Sequence, residues 1–259
     1  MAFRTELESW QRPEPRQGAR RRCVHTQRLA IGGEIKDVAF SAISDGEAFR
    51  AAYDLINDRY AWRGYGASHR IPSDAHHTTF TAEVDRTVVG TITLGVDSEL
   101  GLSIDDTFSE AAEQARRVTG AKICELTKLA FDPGIRSKAV LASLFHIAFI
   151  YGTSTSECTD LFIEVNPRHA GFYETMLGFE RVGAVVTNQS VSAPSQLMRL
   201  KVDAIRRGIR EHAGKADAAP GRSLYPYFFS QAQEQQVRRL LALIQTEDLC
   251  EEPAIRRAA

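Results

Sequence analysis

No apolar run in this sequence approaches the roughly 18 residues that begin to suggest a membrane span. The best candidate, 139–151, is too short and contains His146. The opening residues, MAFRTELESWQRPEP, lack the apolar core of a secretory signal, so a cytoplasmic protein with no transmembrane segment is expected. Paired cysteines are missing too. Cys23, Cys124, Cys158 and Cys250 are scattered and form no C-x-x-C, which argues against a zinc site or a disulfide framework, and no metal is expected. Net charge is only −1, which offers no overall attraction to nucleic acid or a membrane surface. Internal repeats are also lacking. What remains is ordinary globular composition, 43% hydrophobic and 25% charged over 259 residues, enough for one large domain with extensions.

Residues 1–33 carry prolines, glycines and the run Arg20-Arg21-Arg22 without periodicity, and read as a disordered basic tail. A first strand is expected over 38–43, then a helix capped by Ser44 or Asp45, with Phe49, Tyr53, Ile56 and Tyr60 as its buried stripe. A polar loop follows to about residue 75. Strands over 77–84 and 87–95 flank Asp85-Arg86 as a hairpin. The pattern then predicts a helix over 105–117, a strand over 122–131, an almost wholly apolar helix over 136–151 and a strand over 160–165. A helix over 168–177 and strands near 180–187 and 195–202 complete it. Helical sequence from 204, broken at 213–221, resumes over 224–249 after Tyr225, Tyr227, Phe228 and Phe229. This order implies a mixed α/β sheet with helices on its faces.

The most informative stretch is ICELTKLAF, 123–131, where Glu125 interrupts a strand-like apolar run. Alternation places Ile123, Glu125, Thr127 and Leu129 on one face. An interior carboxylate is costly to desolvate, and burial raises its pKa toward the range useful to a general base. The competing reading is a structural glutamate paired with a cation such as Lys128. Elsewhere, His76-His77 reads as a polar strand edge, His146 as a core histidine and His169 as surface.

The segment N-P-x-H-x-x-F-Y-x-x-x-L-G-F, Asn166 to Phe179, together with that element order, resembles the GNAT N-acyltransferase superfamily. A closer resemblance is to long-chain N-acyl amino acid synthases of the FeeM type, relatives of the acyl-homoserine lactone (autoinducer) synthases. The matching segments run in order from Arg50-x-x-Tyr53 through Arg59-Tyr60, Gly64-Tyr65, Val89-Gly90-Thr91, Asp97-Ser98 and Gly101-Leu102 to Glu125-Leu126-Thr127-Lys128-Leu129-Ala130. They cover about residues 36–202. The resemblance implies a GNAT-like domain over 34–203 with a helical extension over 204–259. It implies transfer of an acyl group, long-chain by this likeness, from an acyl carrier protein or coenzyme A thioester to a small amine or amino acid, with no tightly bound cofactor. An autoinducer synthase, a coenzyme A-dependent acetyltransferase and a non-catalytic acyl-carrier-binding module are the alternatives.

By the same resemblance Glu125 is the base, and Tyr173 is either an acid for the departing thiolate or a core aromatic. Arg59, Trp62, Arg63, Thr127, Lys128 and Asn166 are expected around the acceptor, and Leu129, Phe131, Arg136 and Lys138 around the carrier's phosphopantetheine. An apolar slot for the acyl chain is expected near Phe80, Phe108 and the 144–149 helix face. Ordinary acetyltransferases place a glycine-rich R/Q-x-x-G-x-G/A loop after the base strand to hold pyrophosphate. Here that segment is Asp132-Pro133-Gly134-Ile135-Arg136-Ser137-Lys138, which has one glycine and an acid. Arg136 and Lys138 are either solvated surface bases or contacts for an acidic carrier protein.

Overall fold

Two tight turns start the sheet. A computed structural model of the protein describes residues 22–44, 46–66, 68–216 and 222–255, with side chains as far as Ile244. Strands β1 (Arg22–Ile31) and β2 (Glu34–Ile43) meet at Gly32-Gly33, both at positive φ, the conformation a two-residue hairpin needs. Strands β3 (His77–Val84) and β4 (Thr87–Val96) meet at Asp85-Arg86, also both at positive φ. The predicted hairpin is present there.

β5 (Ile123–Phe131), β6 (Asp160–Val165), β7 (Glu180–Asn188) and β8 (Ala193–Lys201) complete one eight-stranded sheet, in the order β1-β2-β3-β4-β5-β6-β8-β7. Every neighbouring pair is antiparallel except β5 and β6. The helices are α1 (Gly46–Trp62), α2 (Ile104–Arg116), α3 (Lys138–Thr155), α4 (Pro167–Leu177), α5 (Val202–His212) and α6 (Gln231–Ile255).

Strand β1 corrects the sequence reading of 1–33 as a disordered tail, because 22–31 pair along β2. Val24, Leu29 and Ile31 are buried, but a register shift between Cys23 and His25 breaks their alternation and hides the strand from a period-two search. Residues 1–21, with Arg20 and Arg21, lie outside the described residues, as does Asp45, one of the two expected helix caps.

Helix α4 is set by its own sequence. Asn166 caps its first turn through Oδ1 and Pro167 stands just inside, while Gly178 closes it at φ +84° with Gly178 N donating to the Tyr173 carbonyl.

Helices α1 and α2 cover one face of the sheet and α3 the other. The near-continuous apolar surface of α3 has a cause beyond the sheet, since a C-terminal layer packs on its outer side. Leu224, Phe228, Phe229, Val237 and Leu241 are all buried in the same core as Leu144 and Ile147. His146 accepts the Phe229 N–H through Nδ1 at 3.0 Å and stacks on both Phe228 and Phe229. Burial holds its pKa down, against the pull of Glu234, so it is a neutral core histidine. The extension is thus part of the core. Phe229→Ala should lower stability by about 3–5 kcal/mol, the usual loss for truncating a buried phenylalanine. A urea-unfolding midpoint unchanged in that variant would mean the C-terminal layer carries no core stability.

Candidate active site

The central event is a bulge in β5. Its ladder to β4 runs in step from Cys124 to Thr127, which pairs Thr93, and then slips so that Ala130 pairs Thr91. Lys128 takes up the extra length at φ +52°, and its carbonyl accepts the Thr91 hydroxyl at 2.7 Å. The slip changes which side chains share a face. Ala130 packs under α1 with Ile56 and Ile71, whereas Leu129 packs toward the α3 core. The expectation that Leu129 shares the Glu125 face is therefore wrong, because strict alternation ends at a bulge.

β5 also parts from β6. Their pairing ends at Leu126 and Ile163, and beyond it a cleft of about 530 Å³ opens between the strands. Among the described residues, backbone groups of β5 past Leu126 have no ladder partner on that side. Glu125, Thr127, Lys128 and Leu129 line one wall, and Glu164, Val165 and Asn166 the other. Arg63, Tyr65 and His69, from the segment after α1, and Tyr173 from α4 also line it.

Glu125 has no solvent-accessible surface. One carboxylate oxygen accepts Ser103 N–H at 2.8 Å and the other Ile104 N–H at 3.1 Å, so the side chain meets amides that have no intrahelical acceptor at the start of α2. Burial raises its pKa above the usual carboxylate range, while those amides, the Ser103 side chain and the nearby His77 oppose the rise. The expected partner Lys128 makes no ion pair with it within 4 Å among the described residues; its ammonium lies 6.0 Å from the Tyr60 ring centre. Burial pushes the Lys128 pKa down and Glu125 pulls it back.

Arg116 anchors α2 over Glu125 by bidentate contacts to Asp97 and Asp105 at 2.7–2.8 Å. Gly101 is required beside them: it sits at φ +75°, and a Cβ there would come within 2.8 Å of Asp105 Oδ2. That accounts physically for the Asp97-Ser98 and Gly101-Leu102 segments.

Tyr173 is packed edge-on against Phe172 and Phe179, and burial raises its pKa, so the phenol stays protonated at neutral pH. Thr127 presents a buried hydroxyl with no hydrogen-bond partner among the described residues. Asn166 lines the cleft, but its Oδ1 is engaged in capping α4. His169, expected as surface, is exposed and does border the cleft.

Other expected residues stand outside this lining. Arg59 lies over the Trp62 ring at 4.9 Å, and Trp62 is 74% exposed. Phe131 fills the space beside Gly90, where a Cβ would lie 2.6 Å from its ring. Arg136 and Lys138 are exposed near the start of α3, with Lys138 5.8 Å from the Tyr227 ring centre. Between β5 and α3, Gly134 N–H is taken by Asp132 Oδ1 at 2.7 Å.

The predicted acyl slot also needs revision. Phe80 belongs to the α3-side core and Phe108 packs beneath α2 on the opposite face, so they cannot line one channel. The expected 144–149 helix face does contribute Phe145 to the apolar cleft wall, and Ile92, Leu126, Leu129, Ile163 and Val165 stand beside it in place of Phe80 and Phe108.

Sequence reading overlooked Glu164, whose Oε1 accepts Asn188 Nδ2 at 2.5 Å and Ser195 Oγ at 2.6 Å on the far wall. Its signal was the same as that of Glu125, an acid in an apolar strand. Tyr60, expected in the buried stripe of α1, does pack against that core and also meets His69 and Tyr65 edge-on at the cleft, where burial holds its pKa up at about 12. Only the α1 fold-over brings these residues to β5.

The sequence model of the N-acyl amino acid synthase FeeM family matches residues 51–201, more than half of the chain. No curated protein sequence matches it. Among solved structures, the chain is similar to FeeM, an N-acyl amino acid synthase from uncultured soil microbes, at 25% identity and a TM-score of 0.58, over 66% of this chain and 93% of that one. It is less similar to the putative arylalkylamine N-acetyltransferase 7 of the yellow fever mosquito, at 14% identity and a TM-score of 0.48, over 70% and 95% of the two chains. MesI, a CoA-dependent acyl-homoserine lactone synthase, is 16% identical with a TM-score of 0.42, over 68% of this chain and 89% of that one.

Proposed function

The chain belongs to the N-acyl amino acid synthase FeeM family and is an N-acyltransferase of GNAT type, and we propose that it moves a long-chain acyl group from an acyl carrier protein thioester to the amine of an amino acid or similar small amine. The observation that carries this reading is the buried Glu125 at the point where β5 and β6 part. A thioester is already activated, so no enzyme nucleophile is needed. The acceptor amine must lose a proton, and Glu125 takes it, directly or through water. Backbone N–H groups of β5 past Leu126 are the donors for the tetrahedral oxyanion. Tyr173, held protonated, supplies a proton to the departing thiolate.

The mixed charge of the cleft suits a zwitterionic acceptor. Arg63 and Lys128 offer cations to a carboxylate, and Glu164, fixed by Asn188 and Ser195, offers an anion to an ammonium. The apolar wall from Ile92 to Val165 takes the acyl chain. For the donor, the support is the Asp132–Gly134 contact, which uses up an amide that a pyrophosphate would otherwise claim, beside the exposed bases Arg136 and Lys138. Mass spectrometry of lipid extracts from a host producing the chain should detect N-acyl amino acids that are absent without it. Extracts with no such product, from cells containing folded protein, would count against the acceptor class.

A further inference from the structure

We propose that His77, oriented by Asp74, is the route by which the proton collected by Glu125 leaves for solvent. This rests on the reading of Glu125 as the base. The strand register supplies the geometry: His77 pairs Gly95 across β3 and β4, and Gly95 pairs Glu125 across β4 and β5. The three residues form one row, and the middle one has no side chain. A Cβ on Gly95 would lie 2.9 Å from His77 Nε2 and 3.3 Å from Glu125 Cγ, so the ring and the acid side chain lean toward the same gap. On the outer side, His77 Nδ1 is 2.9 Å from each oxygen of Asp74. His77 is 11% exposed through its side chain and Asp74 38%, while Glu125 is 0% exposed. The row therefore runs from a sealed acid to the surface.

The chemistry requires such a path. An amino acid enters as an ammonium, and forming the amide removes two protons from its nitrogen. One ends on the thiol, and the other must reach water. Glu125 takes that proton and is left neutral. Asp74, accepting from Nδ1–H, holds the neutral imidazole in the tautomer whose Nε2 lone pair faces the gap. Nε2 then accepts the proton from Glu125, directly or through water, leaving a carboxylate and an imidazolium that Asp74 stabilises. The imidazolium loses its proton to solvent, and the site is reset. The charged groups around the row are Asp74 before β3, Glu125 and Lys128 on β5, and Asp106 in the first turn of α2. Arg116 is engaged by Asp97 and Asp105.

The test compares kcat and KM across pH for the full-length chain and its His77→Ala, His77→Gln, Asp74→Asn and Gly95→Ala variants, with and without added imidazole. Loss of the relay should lower kcat by about tenfold near neutral pH, less than the ~10²–10⁴-fold typical of losing a general base itself. KM should hardly move, the deficit should shrink at high pH, and imidazole should restore part of the rate to His77→Ala. Gly95→Ala, whose Cβ would press on both His77 and Glu125, should lower kcat at least as much without removing any titrating group. A His77→Ala enzyme with parental kcat at all pH values would overturn the relay. So would a deficit constant across pH, untouched by imidazole and accompanied by a lower Tm, which would make His77 a structural partner of Asp74. Glu125→Gln run alongside separates the two ideas: an active Gln variant removes the base reading, whereas an inactive one beside a fully active His77→Ala removes only the relay.

Discussion

Glu125→Gln should lower kcat by ~10²–10⁴-fold, the range typical of general-base catalysis, while leaving a folded protein. The amide matches the acid in size but cannot take a proton from the amine. Its fold consequences are opposed. The Gln carbonyl keeps one of the two helix-start contacts, from Ser103 or Ile104, and its NH₂ faces the other donor, which costs stability. Against this, the variant removes a buried charge. Because burial raises the folded-state pKa of Glu125, the ionised form is disfavoured in the native protein, and this destabilisation grows as pH rises through the unfolded value and levels off above the folded one. The two effects offset, and Tm should change little.

The pH profile gives an independent check. In the parent, kcat/KM should fall as pH drops through a pKa above the ordinary 4.5, because the protonated acid is no base. That limb should be missing from whatever activity the variant retains. A variant with near-parental kcat but a lower Tm would assign Glu125 to capping α2 and nothing more.

Arg136→Glu with Lys138→Glu should raise KM for an acyl carrier protein donor by about tenfold or more with little change in kcat, the pattern of lost uniform binding. Carrier proteins are acidic, so their approach to two exposed bases is steered by charge and weakens as salt screens it. The same acyl chain presented on coenzyme A should be used less well and be less sensitive to both salt and the double reversal. Behind this expectation is the loop chemistry. Asp132 occupies the Gly134 amide, and on the proposed reading its negative charge stands where a pyrophosphate would need donors. Equal or better kcat/KM with acyl-coenzyme A, indifferent to salt and to the charge reversal, would make coenzyme A the donor.

Much of this architecture is written in local sequence. The 123–131 strand, the Asp85-Arg86 hairpin and helix α4 with its Asn166 and Gly178 ends follow from periodicity, turn chemistry and capping, which act between residues a few positions apart. The acid in the ICELTKLAF run was legible for the same reason, since alternation alone turns it toward the sheet face. Tertiary structure decided the rest, because those features depend on partners distant in the chain. Strand β1 was hidden by a bulge and stands only because β2 pairs with it. The slip at Lys128 moved Leu129 off the Glu125 face, and no periodic rule contains that slip without the Thr91 hydroxyl that donates to its carbonyl. The α2 amides that hold Glu125, the cleft places of Tyr60 and Glu164, and the gap over Gly95 shared with His77 are set by pairing and packing across the sheet. Local propensity states which face a side chain takes; which groups meet it there is fixed only when separate strands and helices come into register.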